Sequence, residues 1–254
     1  MTEPHATVIL AISADGKIAD AVRSPARFGS ANDKAHLEHQ VAASDAVLFG
    51  NGTLQAYGTT MRVISPELLK QRELQGKPPQ PVQIVCSRSS QFDPNLRFFQ
   101  QPVPRWLLTG GGEEGEKGKG EDGESQTPTN LSLPSSSFLL PSSFFLLPSM
   151  FDRIIYAKTA GGEIDWIDAF QQLASFGIKR LAILGGGKLV ASVLAAGLVD
   201  ELWLTVCPLI LGGADAPTPV EGEGFLAHLA PKLELLAVKQ VGQEVFLNYR
   251  FGAG

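Results

Sequence analysis

The residues best suited to chemistry in this chain gather at glycine-rich turns. Gly185, Gly186 and Gly187 follow a short apolar run at 181–184 and are followed by Lys188 and a stretch with helical periodicity. Glycine at a strand-to-helix turn lets another backbone, or a phosphate, come close. The helix that follows aims free N–H groups and the positive end of its dipole over the turn. The chemistry such a turn offers is anion binding, with a nucleotide as one occupant; packing alone is its other use. A second glycine turn, Gly50, Asn51, Gly52 and Thr53, follows the apolar run 46–49, and a third, Gly212 and Gly213, lies beyond the run 202–206. Asp15 and Lys17 flank Gly16 at the end of the first apolar run. They make a turn that carries one acid and one base, and such an aspartate can close its own turn. Neither common nucleotide motif is complete. Gln55 stands where the dinucleotide fingerprint has its third glycine, and Leu189 stands where a P-loop has Ser or Thr. His36 and His39 can share a helical face, but no third ligand has a recognisable spacing, so a solvated face is expected and no metal site is assigned.

Positioning such turns requires strands that end at them. Residues 7–13, 46–49, 82–86, 106–109, 152–157, 181–184 and 202–206 read as buried strands. Residues 30–43 read as a helix capped by Ser30 or Asn32, and residues 66–75 as a polar helix opened by Ser65 and Pro66. Residues 165–176 read as a helix with Trp166, Ile167, Phe170, Leu173 and Ala174 on one face, ended by Gly177. Residues 233–241 and 244–251 form a hairpin turned at Gly242 and Gln243. The class is α/β, with a mostly parallel sheet flanked by helices and a C-terminal antiparallel hairpin. Glycine turns after three strands point to one ligand crevice at the carboxyl edge of that sheet.

At 254 residues and 44% hydrophobic composition, the chain can bury one sizeable core. Its net charge of −5 argues against general nucleic-acid binding. Cys86 and Cys207 fit reduced thiols in a cytoplasmic protein, and the first residues do not read as a signal peptide. Residues 111–150 are a low-complexity insertion within the single domain, expected to be disordered in its Gly-Glu-Lys part. Pro134, Pro141 and Pro148 interrupt its apolar part, so no membrane span is expected.

Five stretches in order carry a resemblance to a known family: 11–19 with Asp15, Gly16 and Lys17; 44–53 with Asp45, Gly50, Gly52 and Thr53; 184–189; 197–202 with Asp200 and Glu201; and 208–212. Together the chain resembles the pyrimidine reductase domain of riboflavin biosynthesis, which has the dihydrofolate-reductase fold. The resemblance implies a homodimeric, NADPH-dependent reductase that passes hydride to the ribose carbon of a phosphoribosylamino-uracil. It implies cofactor contacts at Ala11, Gly50, Gly52, Thr53, Gly185, Gly186, Gly187, Lys188, Leu189 and Ser192, and it sets Asp15 and Lys17 beside the substrate as catalytic candidates. The chain departs from the family pattern in the substrate half. Leu184 stands for a carboxylate, Val41 and Ile64 for arginines, Tyr57 for an acid and Arg27 for a tryptophan. Arg27 and Arg62 are the candidates to supply the cations a phosphate needs. A reductase of another heterocycle or carbonyl, and a non-catalytic nucleotide-binding relative, are the alternative readings.

Overall fold

Apolar runs without alternation belong to strands covered on both faces, and this chain sets them at the middle of one sheet. In the computed structural model, which describes residues 3–25, 27–110 and 147–252, the strands are β1 His5–Ser13, β2 Ala46–Gly50, β3 Val82–Cys86, β4 Arg105–Gly110, β5 Arg153–Ala157, β6 Thr159–Ala160, β7 Glu163–Ile164, β8 Arg180–Ile183, β9 Glu201–Cys207, β10 Leu233–Val241 and β11 Glu244–Phe251. The helices are α1 Ala31–Ala43, α2 Asn51–Tyr57, α3 Pro66–Leu74, α4 Leu147–Met150, α5 Trp166–Ser175 and α6 Gly187–Ala195. Among the described residues the main sheet has nine strands in the order β10-β11-β9-β1-β8-β2-β3-β4-β5. Every pairing from β9 to β5 is parallel, and β11 runs antiparallel to both β9 and β10. The expected α/β architecture with a closing hairpin is therefore observed.

Strand alternation divides the core in two. Ala46 and Leu48 of β2 face α5 and α6, where they join Phe170, Leu173 and Val193. Val47 and Phe49 face the other way, with Val41 of α1, Leu54 of α2 and Phe98. Phe170 and Leu173 have no exposed surface, and burial of such side chains stabilises the fold by about 1.5–3 kcal/mol each. Local signals set the helix ends. Ser30 caps α1 by accepting from the N–H groups of Asn32 and Asp33. Asp165 does the same for α5, and Ser65 caps α3 with Pro66 at its first position.

Several expectations are corrected. Gly50 to Thr53 is not a free turn: β2 runs straight into α2, with Gly50 as its N-cap. Ile167 is 50% exposed, and Ala169 takes its place on the buried face of α5, because the face is set by positions 166, 169, 170 and 173. His36 is not on a solvated face. It packs edge-on against Trp203 and Phe246, while His39 is exposed. The polar helix α3 buries Arg72, whose guanidinium donates to the carbonyls of Ala42, Ser44 and Pro78 and so closes the C-terminal end of α1. The small hairpin β6-β7 was not expected. Residues 111–146 of the low-complexity insertion lie outside the described residues. Its last residues, Leu147–Met150, form α4, and Phe151 directly after it is buried.

Candidate active site

One open cleft of about 1710 Å³ crosses the carboxyl ends of β1, β8, β2 and β3. Two helix starts form one wall. The Gly50 N–H donates to the Gly185 carbonyl at 2.9 Å, bringing the starts of α2 and α6 side by side. Both helices begin on a glycine cap with no side chain to satisfy the first-turn amides, which leaves those donors for a ligand. Ala11, Gly50, Gly52, Thr53, Gly186, Gly187, Lys188, Leu189 and Ser192 all line this wall. Gly185 does not line it; it lies behind, at φ +96°, where a glycine is required. A side chain at Gly186 would point into open cleft, nearest Thr53 Oγ1 at 3.6 Å, and one at Gly52 would meet nothing within 4 Å. Gly187 differs. A Cβ there would collide with the Thr218 carbonyl and come within 2.8 Å of Glu221 Cγ. The wall thus leaves space open beside Gly186, with Gly187 reserved for packing. Glu221 stands at its edge, held by Arg23 at 3.0 Å.

The same cleft carries cations. Arg27 and Arg62 both line the cleft, and the structure adds Lys34 and Arg97. No side chain of these four makes an ion pair or hydrogen bond with another described residue. Lys34 and Arg97 escape a reading of the sequence because each looks like an ordinary solvated charge. Ile64, Tyr57 and Leu184 also line the cleft, so the departures from the family pattern at these positions face the ligand space. Val41 does not: it is wholly buried in the core behind α1.

Asp15 and Lys17 are not among the cleft-lining residues. The Asp15 carboxylate accepts from Ser13 Oγ at 2.6 Å and from the N–H groups of Leu211 and Gly212 at 3.1 and 2.7 Å. The Ser13 hydroxyl foremost, then those two amides, hold its pKa down to about 2. An acid so held is ionised at neutral pH and committed to its own turn. Lys17 Nζ donates to the Ala216 carbonyl at 3.2 Å. The third glycine turn therefore serves as the seat of Asp15, and its Gly212 and Gly213 do not line the crevice. Among the described residues no cluster of three His, Cys, Asp or Glu is placed to hold a metal, and no helix is long and apolar enough to cross a membrane.

A pair of carboxyls beside the cleft escapes a reading of the sequence. Asp33, in the first turn of α1, lines the cleft. Desolvation first, and the charge of Glu244 after it, push its pKa up, against a hydrogen bond from Thr205. Glu244 is buried and accepts from the Ser30 N–H at 2.7 Å and the Ser30 hydroxyl at 2.6 Å.

Comparison with known proteins agrees with this geometry. A protein from Archaeoglobus fulgidus named 2,5-diamino-6-ribosylamino-4(3H)-pyrimidinone 5′-phosphate reductase is 26% identical over 249 residues, covering 98% of each chain. One of the same name from Methanothermobacter thermautotrophicus is 26% identical over 248 residues, covering 97% of each. Among solved structures, a pyrimidine reductase-like protein from Corynebacterium diphtheriae shares the fold, with a TM-score of 0.74 at 20% identity over 99% of this chain and 93% of that one. The model of the RibD C-terminal domain matches residues 4–247, and the chain belongs to that family.

Proposed function

We propose that this member of the family reduces a ribosylamino-pyrimidine phosphate with NADPH, delivering hydride to the ribose carbon. Family membership makes the chain an oxidoreductase of the riboflavin-biosynthesis type; the cofactor's identity and the substrate are our reading. The observation that carries it is one cleft that holds both an uncapped pair of helix starts and a set of uncommitted cations. In a chain of net charge −5, four cations in one cleft whose side chains have no partner among the described residues are best explained by an anionic ligand. The named relatives act on a 5′-phosphate, and Arg27, Lys34, Arg62 and Arg97 suit that group. Ser87, Arg88 and Ser89 line the cofactor side beyond β3. They favour a 2′-phosphorylated nucleotide, since the ion pair of Arg88 with Glu163 is exposed on both sides and holds Arg88 only weakly.

NADPH, when bound, supplies the hydride. The chain's part is to hold and orient. The first-turn amides of α6 receive the diphosphate, Thr53 borders it, and the cations fix the substrate phosphate so that the ribose meets the cofactor. A homodimeric, cytoplasmic enzyme completes the reading. The test is fluorescence titration with NADPH and NADH, followed by turnover of the phosphorylated pyrimidine. NADPH is expected to bind more tightly than NADH, and Arg62→Ala to raise KM by about tenfold or more, the loss of one charge-assisted contact. Absence of sub-millimolar binding of either nucleotide overturns the reading. Binding without turnover favours the non-catalytic alternative.

A further inference from the structure

Hydride addition to a carbon leaves the neighbouring heteroatom in need of a proton. Asp15 is committed to its turn. Asp33 lines the cleft, and burial first pushes its carboxyl pKa up. Asp33 lies tight against Gly29, where any side chain would strike its carboxyl oxygen. The Thr205 hydroxyl is its hydrogen-bond partner. Thr205 stands on β9 directly across from Ala11 of β1, a residue of the cofactor wall. Behind Asp33, Glu244 takes both its hydrogen bonds from Ser30 and a weak third from the Cys207 thiol at 3.7 Å. Two carboxyls in one half-dry pocket resist carrying two charges. Glu244 has three donors and Asp33 one, and the charge of Glu244 favours the acid form of Asp33. Cys207 on β9 is close enough to feel both carboxylate charges, Lys34 and His36 follow Asp33 on its own helix, and Arg27 lines the same cleft.

We propose that Asp33 gives the substrate the proton that accompanies hydride transfer, with Glu244 as the positioning residue behind it. The step rests on the reductase reading above. The carbon of the ribose C=N or C=O bond takes hydride from NADPH, which leaves as NADP⁺. The π pair moves to the heteroatom, which takes the proton from the Asp33 carboxyl, and the resulting carboxylate regains a proton from water at the cleft mouth. The acid form is the working one, so turnover falls as pH rises through the raised pKa of Asp33.

The test is the pH profile of kcat and kcat/KM for wild type, Asp33→Asn and Glu244→Gln. Asp33→Asn is expected to lower kcat by about 100-fold or more, the usual share of a general acid, to flatten the alkaline limb, and to leave NADPH affinity unchanged. Removing the neighbouring negative charge in Glu244→Gln makes ionisation of Asp33 easier, so the alkaline limb moves to lower pH. Wild-type turnover and profile in Asp33→Asn would overturn the proposal. If the wild type itself does not turn over the pyrimidine, the functional reading fails, and ¹³C NMR titration of the labelled carboxyl still decides for Asp33. Titration in the ordinary carboxylate range overturns it, and a raised value that drops in Glu244→Gln supports it.

Discussion

Gly186 and Gly187 are neighbours with opposite duties. Gly186 borders empty cleft, whereas Gly187 has the Thr218 carbonyl and Glu221 against its α-carbon. A valine at 186 has room in the protein but fills the diphosphate seat. Gly186→Val is therefore expected to lower NADPH affinity more than tenfold by isothermal titration calorimetry, with little change in thermal midpoint. Gly187→Ala must push the 218–221 segment aside, and overpacking of that kind costs about 1–3 kcal/mol. Its thermal midpoint is expected to fall, and unchanged stability would mean the crowding is not real. In the sequence the two residues are indistinguishable, because nothing local to Gly187 reveals a carbonyl from thirty residues further on. The same limit explains Arg62 and Arg97. Their charge is visible in the sequence, but their lack of partners depends on what the fold sets near them.

At the scale of elements, Asp15 joins two loops. It closes the turn after β1 and receives two amides from the segment after β9. Those donors hold its folded pKa at about 2, below the ordinary aspartate value of 3.8. The sign follows from linkage: a depressed folded pKa stabilises the fold fully above the unfolded value and loses that stabilisation as pH falls toward 2. Asp15→Asn is expected to lower the urea midpoint at neutral pH, and the gap to wild type should close between about pH 4 and pH 2. A gap that persists at the acid end would refute the clamp. Turn closure by Asp15 was one of two roles open in the sequence, and the geometry favours it over catalysis. Helix α1 is fixed in a similar way. Arg72 binds the carbonyls at its C-terminal end, while the buried Glu38 accepts from the Ile64 and Ser65 N–H groups beside the start of α3.

For the whole molecule, the uncovered surface is the hairpin end of the sheet. Strand β10 is exposed along nearly its whole length and shows Leu233 at 44%, Leu235 at 51% and Val238 at 58% exposure. Leu235 pairs with Tyr249 and Val238 with Leu247 on β11, and these continue to Leu202 and Leu204 on β9. An apolar face three strands wide, left half open, is the kind of surface a second copy covers isologously. The proposed homodimer is assigned to this face. Sedimentation of the wild type should give a dimer, and Leu235→Lys with Val238→Lys a monomer with intact secondary structure. A monomeric wild type, or a dimer that survives both changes, refutes the assignment.

What the sequence determined by itself was the order and type of the main elements and the glycine-rich strand-to-helix turn that opens α6. Apolar period, caps such as Ser30 and Asp165, and turn glycines act over a few residues, so a linear reading captures them. It also marked Leu184 and Ile64 as departures on the ligand side, and both line the cleft. What only the tertiary structure decided was which of these groups share a space and which already have partners. Ser30 and Glu244 are 214 residues apart in the chain yet bonded at 2.6 Å. That contact, with the burial around it, gives Asp33 a second carboxyl as neighbour. Desolvation and charge coupling are sums over everything within a few ångströms, and the strand order that brings β9 and β11 beneath α1 is not written in any one of them.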